Sequence, residues 1–198
     1  MSEKSIPRPR KEAVADAVLE IAASRGLDGV TVREVAATAD VSIGTVQHYF
    51  PTKNQMLAGA YTEASRRIRQ RLQALPLGPD SRRNMMLVAS QLLPLDQERS
   101  TEARVYIAFA AAAATSAGLS EIQQNLLEEL HTALTTAFTQ VWGGAATPAR
   151  CKLAAHTVIA LVDGLALHSV TTKNWIADRQ LTDAVALVLD SLRIADPN

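Results

Sequence analysis

Cysteine is almost missing from this 198-residue chain: Cys151 stands alone. That excludes an intrachain disulfide framework and a cysteine-based zinc knuckle. Neither sign of charge is in excess, since 20 Lys+Arg balance 20 Asp+Glu. A histone-like polycation is thereby excluded, although a neutral total can hide a local basic patch. The longest strictly apolar run, Val105–Ala114, is about half of the roughly 20 residues that a membrane span needs. The opening MSEKSIPRPRK has no apolar stretch of the secretory kind. A protein of the reducing cytoplasm, with no membrane, is expected. With 47% apolar and 20% charged residues, the composition is that of a globular chain. Its length suits one or two domains with a real core.

Strand-type alternation is nearly absent, and helical spacing dominates. Val14, Val18, Ile21 and Ala22 fall on one face of an amphipathic helix. Gly26 is placed to end it, because glycine tolerates the left-handed conformation, and Leu27-Asp28-Gly29 makes a turn. Thr31-Val32-Arg33-Glu34 predicts a capping box, the threonine hydroxyl and the Glu34 carboxylate satisfying helix-start amides reciprocally. Val32, Val35, Ala36 and Ala39 then line one face. Asp40-Val41 is a turn, Ser42 the next cap, and Val46 and Phe50 the inner face of a short third helix that Pro51 stops. Longer helices follow near 53–74, 80–93, 96–116, 119–142, 147–171 and 180–194, separated by proline and glycine breaks. The fold class is all-α with about nine helices. Residues 1–53 are expected to form a small N-terminal unit and 54–198 a larger C-terminal helical bundle.

Two short helices joined by a tight turn within Thr31–Phe50 fit a helix-turn-helix. Spacing alone fits equally any pair of capped helices in an all-α core. A reader helix must bury one stripe and present small or hydrogen-bonding groups to a major groove. With Val46 and Phe50 inside, Ser42, Gly44, Thr45, Gln47 and His48 remain available outside. Gln47 can offer a donor and an acceptor to a base edge, best to adenine. Ser42, Thr45, Tyr49 and Lys53 carry the hydroxyls and ammonium that go to phosphate.

The residues themselves are more specific than their spacing. Thr31, Arg33, Val35-Ala36, Ala39, Val41-Ser42, Gly44-Thr45, Tyr49-Phe50 and Lys53 resemble the DNA-binding segment of the TetR family of transcriptional regulators. The resemblance covers roughly residues 10–60, and the chain length and all-helical remainder agree with it. It implies a homodimer that binds a near-palindromic operator and is released by a small effector. It implies backbone contacts from Thr31, Arg33 and Lys53, and a recognition helix carrying Ile43, Gly44, Thr45, Gln47, His48 and Tyr49. Where the commoner family pattern has tyrosine at position 47, Gln47-His48-Tyr49 is similar to the subgroup of the choline-responsive repressor of betaine synthesis. Gln47 then becomes a base reader.

Two basic groups flank this segment. Lys4, Arg8, Arg10 and Lys11, opposed only by Glu3 and kept extended by Pro7 and Pro9, suit either a solvated tail or an arm on phosphates. Arg66, Arg67, Arg69, Arg71, Arg82 and Arg83 lie one helix further on, and pairing with Glu63, Asp80 and Glu98 is expected there instead of DNA contact.

In the C-terminal half, Met85, Met86, Tyr106, Phe109, Phe138 and Trp142 are the candidate lining of an effector cavity between helices. Six aromatics beyond Phe50 are too few to assert a cationic cage. Val158, Leu161, Val162 and Leu165 form one stripe, and the apolar run around Ala184, Val185 and Val188, with Leu192, needs burial on more than one side. These eight are the candidate dimer interface. His131, His156, His168, Asp163 and Glu128 are read as core or interface side chains and not as metal ligands, and no phosphate-cradling glycine loop occurs, so neither a metal, a cofactor nor an enzyme is expected. A ligand-responsive repressor is the leading expectation. A DNA-binding factor without a small effector, architectural or partner-controlled, is the alternative, and an all-α enzyme or metal carrier stands third.

Overall fold

The valine- and alanine-rich face of the first segment folds as α1, Arg10–Arg25, in a computed structural model that describes residues 10–172 and 175–192. Lys4 and Arg8 of the basic arm lie outside the described residues. Gly26, at φ +71°, ends α1 in backbone that only glycine adopts without strain. There follow α2 (Val32–Thr38), α3 (Ile43–Tyr49) and α4 (Lys53–Gln73), then α5 (Ser81–Leu92) and α6 (Gln97–Ala113). The long α7 (Ala117–Trp142), α8 (Pro148–Thr171) and α9 (Asp178–Ser191) complete the order. Nine α-helices and no strand are present among the described residues, at the positions the periodicity predicts to within a few residues.

Local chemistry sets the helix starts. Thr31 Oγ1 accepts from the Glu34 amide at 3.2 Å, but the Glu34 carboxylate does not reach back as a capping box requires. It pairs with Arg25 at 2.8 Å instead, because the turn after α1 brings a full positive charge within reach. The reciprocal box belongs to α4: the Gln55 amide donates to Thr52 Oγ1 and the Thr52 amide to Gln55 Oε1, at 3.2 and 3.0 Å. Asp80, Asp96 and Thr147 cap α5, α6 and α8 through single side-chain acceptors.

Two apolar cores result. The first joins α1 to α4 and runs past residue 53, taking in Met56, Leu57, Ala60 and Tyr61 of α4 and Val105, Phe109 and Ala113 of α6. The Phe109 ring lies flat on Tyr61, centroids 3.9 Å apart. The second core gathers α5, α7, α8 and α9 around Leu93, Phe138, Ile159, Leu181 and Val185. α8 is long and apolar enough to cross a membrane by length and composition alone. Its apolarity has another use here: Cys151, Ala154, Ala155, Val158, Ile159, Val162 and Ala166 are buried against the other helices.

Candidate nucleic-acid interface and apolar cavity

The turn between α2 and α3 is a Schellman motif. The Val41 amide donates to Ala36 O at 3.0 Å and the Asp40 amide to Ala37 O at 3.4 Å, with Asp40 left-handed at φ +52°. Aspartate tolerates that conformation at a cost that glycine avoids. Asp40→Gly is expected to stabilise the chain by up to about 1 kcal/mol, read as a small rise in Tm. A fall in Tm would mean that the Asp40 carboxylate has a partner worth more than the strain.

The motif orients α3 so that Val46 (0% exposed) and Phe50 (5%) enter the first core while Ile43, Gly44, Gln47 and His48 face solvent. Thr31, Arg33, Ser42 and Lys53 are also exposed, and Thr45 and Tyr49 are half-buried. Ser42 Oγ accepts from the Thr45 amide at 3.0 Å and lies 2.9 Å from Thr45 Oγ1, so both hydroxyls sit together at the start of α3. A Cβ on Gly44 would meet only Ser42 Oγ, at 3.7 Å. The fold itself therefore makes no demand for glycine there, and open space lies outside it.

One residue of this head escapes sequence reasoning. A Cβ on Gly59 of α4 would come within 2.2 Å of the Phe50 ring. Gly59 is thus the seat on which the end of α3 rests, and the Lys11 ammonium covers the same ring at 5.9 Å. No local signal distinguishes this glycine, because its necessity comes from a ring nine residues away.

Five of the six clustered arginines beyond the head are engaged with carboxylates. Arg66 and Arg67 pair with Glu63, and Arg67 also reaches Asp16 on α1. Arg69 pairs with Glu129 at 2.6 Å, and Arg71 clamps Glu102 with both terminal nitrogens. Arg82 pairs with Asp190 at 2.6 Å, while Arg83 donates to the Pro76 carbonyl.

A cavity of about 370 Å³ opens among α4, α5, α6, α7 and α8. Of the six residues expected to line it, only Tyr106 does. Phe109 packs in the first core on Tyr61, and Met85, Met86, Phe138 and Trp142 pack in or against the second. Large apolar side chains gravitate to the densest packing and so mark cores more than cavities. The walls come instead from medium-sized residues such as Ile68, Leu72, Leu127, Leu130, Ile159 and Val162.

Two polar residues meet at one side of this cavity. The Tyr106 hydroxyl donates to Asp163 Oδ2 at 3.3 Å and accepts from Gln123 Nε2 at 3.2 Å. Gln123 Oε1 in turn accepts from the Tyr61 hydroxyl on α4, completing a row from α8 to the helix that seats Phe50. Burial pushes the Asp163 carboxyl above its ordinary range, only partly opposed by the Tyr106 hydrogen bond. Burial, with the Asp163 charge, pushes the Tyr106 phenol up to about 12.

Part of the expected dimer stripe is used inside the chain itself. Val158, Val162 and Val185 are 6%, 4% and 0% exposed and belong to the chain's own second core. Leu161, Leu165, Ala184, Val188 and Leu192 are half-buried. A helical stripe marks a buried face without saying whose surface buries it. The opposite side of α8 carries Leu153 (67% exposed), Thr157, Ala160 and Leu167, and α9 adds Leu187 (72%). Leu153, Ala160 and Leu167 recur every seven residues, a spacing visible in the sequence. Elsewhere, the His131 and His156 rings meet at 4.0 Å, and no group of three or more metal-ligating side chains gathers among the described residues.

Comparison with known proteins agrees over both halves. Residues 81–193 match the family described as BetI-type transcriptional repressor, C-terminal, and residues 14–60 match bacterial regulatory proteins, tetR family. The crystal structure of a transcriptional regulator from Rhodococcus sp. Rha1 superposes with a TM-score of 0.84 at 38% identity, covering 92% of this chain and 95% of that one. The HTH-type transcriptional regulator BetI of Serratia proteamaculans is 29% identical over 164 residues, 81% of this chain and 80% of its own length. A regulator from Saccharomonospora viridis, solved in complex with choline, has the same fold with a TM-score of 0.80 at 16% identity, covering 91% of this chain and 95% of that one.

Proposed function

Because the chain belongs to the TetR family of transcriptional regulators, we propose that it is a homodimeric repressor that a small molecule releases from a near-palindromic operator in the cytoplasm. Residues 1–53 hold the reader, and the rest of the chain holds the sensor and the dimer face. The observation that carries this reading is α3 itself: Val46 and Phe50 buried, with Ile43, Gly44, Gln47 and His48 turned to solvent. Gln47 reads a base edge, and Ile43 and Gly44 allow close approach to the groove. Thr31, Arg33, Ser42, Thr45, Tyr49 and Lys53 position the head on phosphates, and His48 flanks the reader.

The cavity supports the sensor role, as does the choline bound to the Saccharomonospora viridis regulator of the same fold. Occupancy is passed to the head along the row Asp163, Tyr106, Gln123 and Tyr61, since Tyr61 and Gly59 share α4. A coupling of about 1–3 kcal/mol suffices to shift operator affinity by roughly 5–150-fold. The outward face of α8 with Leu187 supports the dimer, as it leaves apolar side chains uncovered in one copy.

Selection of bound duplexes from a random pool tests groove reading and two-fold symmetry together. Recovery of a symmetric motif is expected, and recovery of none sinks the repressor reading in favour of a sequence-indifferent factor. On the recovered operator, Gln47→Ala should cost about 1–3 kcal/mol and relax preference at one base per half-site. Lys53→Ala should weaken all sequences alike and lower the salt slope by about 1. Equal, sequence-independent losses for both would contradict that division of roles.

A further inference from the structure

The charges around the cavity do not cancel, and the remainder has a sign. Arg69 and Glu129 neutralise each other across its edge at 2.6 Å. Glu102 is held by Arg71, and Arg99 by Asp96 and the Ser90 carbonyl. Asp163 is different. Its hydrogen-bond partner is the neutral Tyr106 hydroxyl, and no cation pairs with it among the described residues. A carboxylate among apolar walls is costly unless a positive charge or several donors compensate it.

We propose that the effector is a lipophilic primary or secondary amine, its apolar body filling the cavity and its ammonium donating to Asp163. The inference rests on the cavity being the effector site, as proposed above, and narrows the class of molecule that enters. An anion would face the uncancelled charge. A neutral molecule would desolvate Asp163 further and return at most a hydrogen bond from an uncharged donor, roughly half as strong as one from an ammonium. A quaternary ammonium has no N–H to donate and depends on aromatic faces, of which Tyr106 supplies the one among the lining residues. An ammonium N–H makes a charge-assisted hydrogen bond to the carboxylate without a cage. The raised affinity of Asp163 for its proton has the same cause, burial without a cationic partner.

The test uses the full-length protein and four ten-carbon probes: n-decylamine, decyltrimethylammonium, 1-decanol and decanoate. Each displaces the neutral lipophilic dye N-phenyl-1-naphthylamine, followed by fluorescence at neutral pH. Decylamine is expected to displace the dye at a concentration about tenfold or more below that of decanol and decyltrimethylammonium, with decanoate weakest. In Asp163→Asn that preference should vanish while displacement by decanol is kept, which also shows the cavity still folded. Decanol or decyltrimethylammonium matching decylamine on the unaltered protein, or the preference surviving in Asp163→Asn, overturns the amine assignment and leaves the cavity as effector site. Failure of the dye to bind overturns the cavity reading and the amine assignment with it.

Discussion

Phe50→Ala is expected to destabilise the N-terminal head strongly and abolish operator binding. The ring is 5% exposed, closes the end of α3, and packs with Val46 and Val35, both fully buried. Truncating a buried phenylalanine costs about 3–5 kcal/mol, on the order of 10 °C in Tm for a chain of this length. The loss removes the contact that fixes the recognition helix on α4. Gly59→Ala approaches the same joint from the other side. The added methyl would overlap the ring at 2.2 Å, and close packing gives the ring no free space. Overpacking of this kind costs about 1–3 kcal/mol, and here it also re-aims α3. Operator affinity should therefore fall by more than the loss of stability accounts for. Thermal melts by circular dichroism, set beside gel-shift titrations, separate the two effects. A Gly59→Ala protein with unchanged melting and unchanged affinity would show that Phe50 can leave its seat freely.

The second large effect is expected at the far end. Leu153→Asp combined with Leu187→Asp should convert the proposed dimer into a monomer while leaving the fold of each copy intact. Both side chains are more than two-thirds solvent-exposed in one chain, at 67% and 72%. Substitutions at such positions change the stability of the chain itself by only about 0.5 kcal/mol. Burial of these leucines between copies is a different matter, since an unpaired charge placed in that contact opposes association. Operator affinity should then drop by roughly 10²–10⁴-fold, because two linked heads bind a two-part site far more tightly than one. Affinity for an isolated half-site should not change. Light scattering after size exclusion reports the mass directly. A doubly substituted protein that stays dimeric would exclude this face and return attention to the half-buried residues Leu161 and Leu165.

The fold of the N-terminal head was legible from the amino-acid order because its determinants are local. Ser42 capping α3, the turn at Asp40 and the inward pair Val46 and Phe50 all act within a few residues of one another. Capping and periodicity operate over one or two turns of helix, so the nine helices among the described residues could be placed from spacing and breakers alone. Glu34 shows where that reach ends. Its spacing from Thr31 suits a capping box, yet the fold offers Arg25, and the full charge wins.

The cavity and the outer face were decided by tertiary structure, for one common reason. Hydrophobic periodicity says that a side of a helix is covered, but not by which neighbour, and it is silent about space left empty. Val158 and Val162 therefore look like an interface and prove to be core, while the phenylalanines that look like cavity wall fill the interior. Gly59 and Asp163 acquire their meaning only from partners brought together by packing: a ring from the end of α3 for one, a phenol from α6 for the other. Such pairings depend on distances across helices, and linear order along the chain does not encode them.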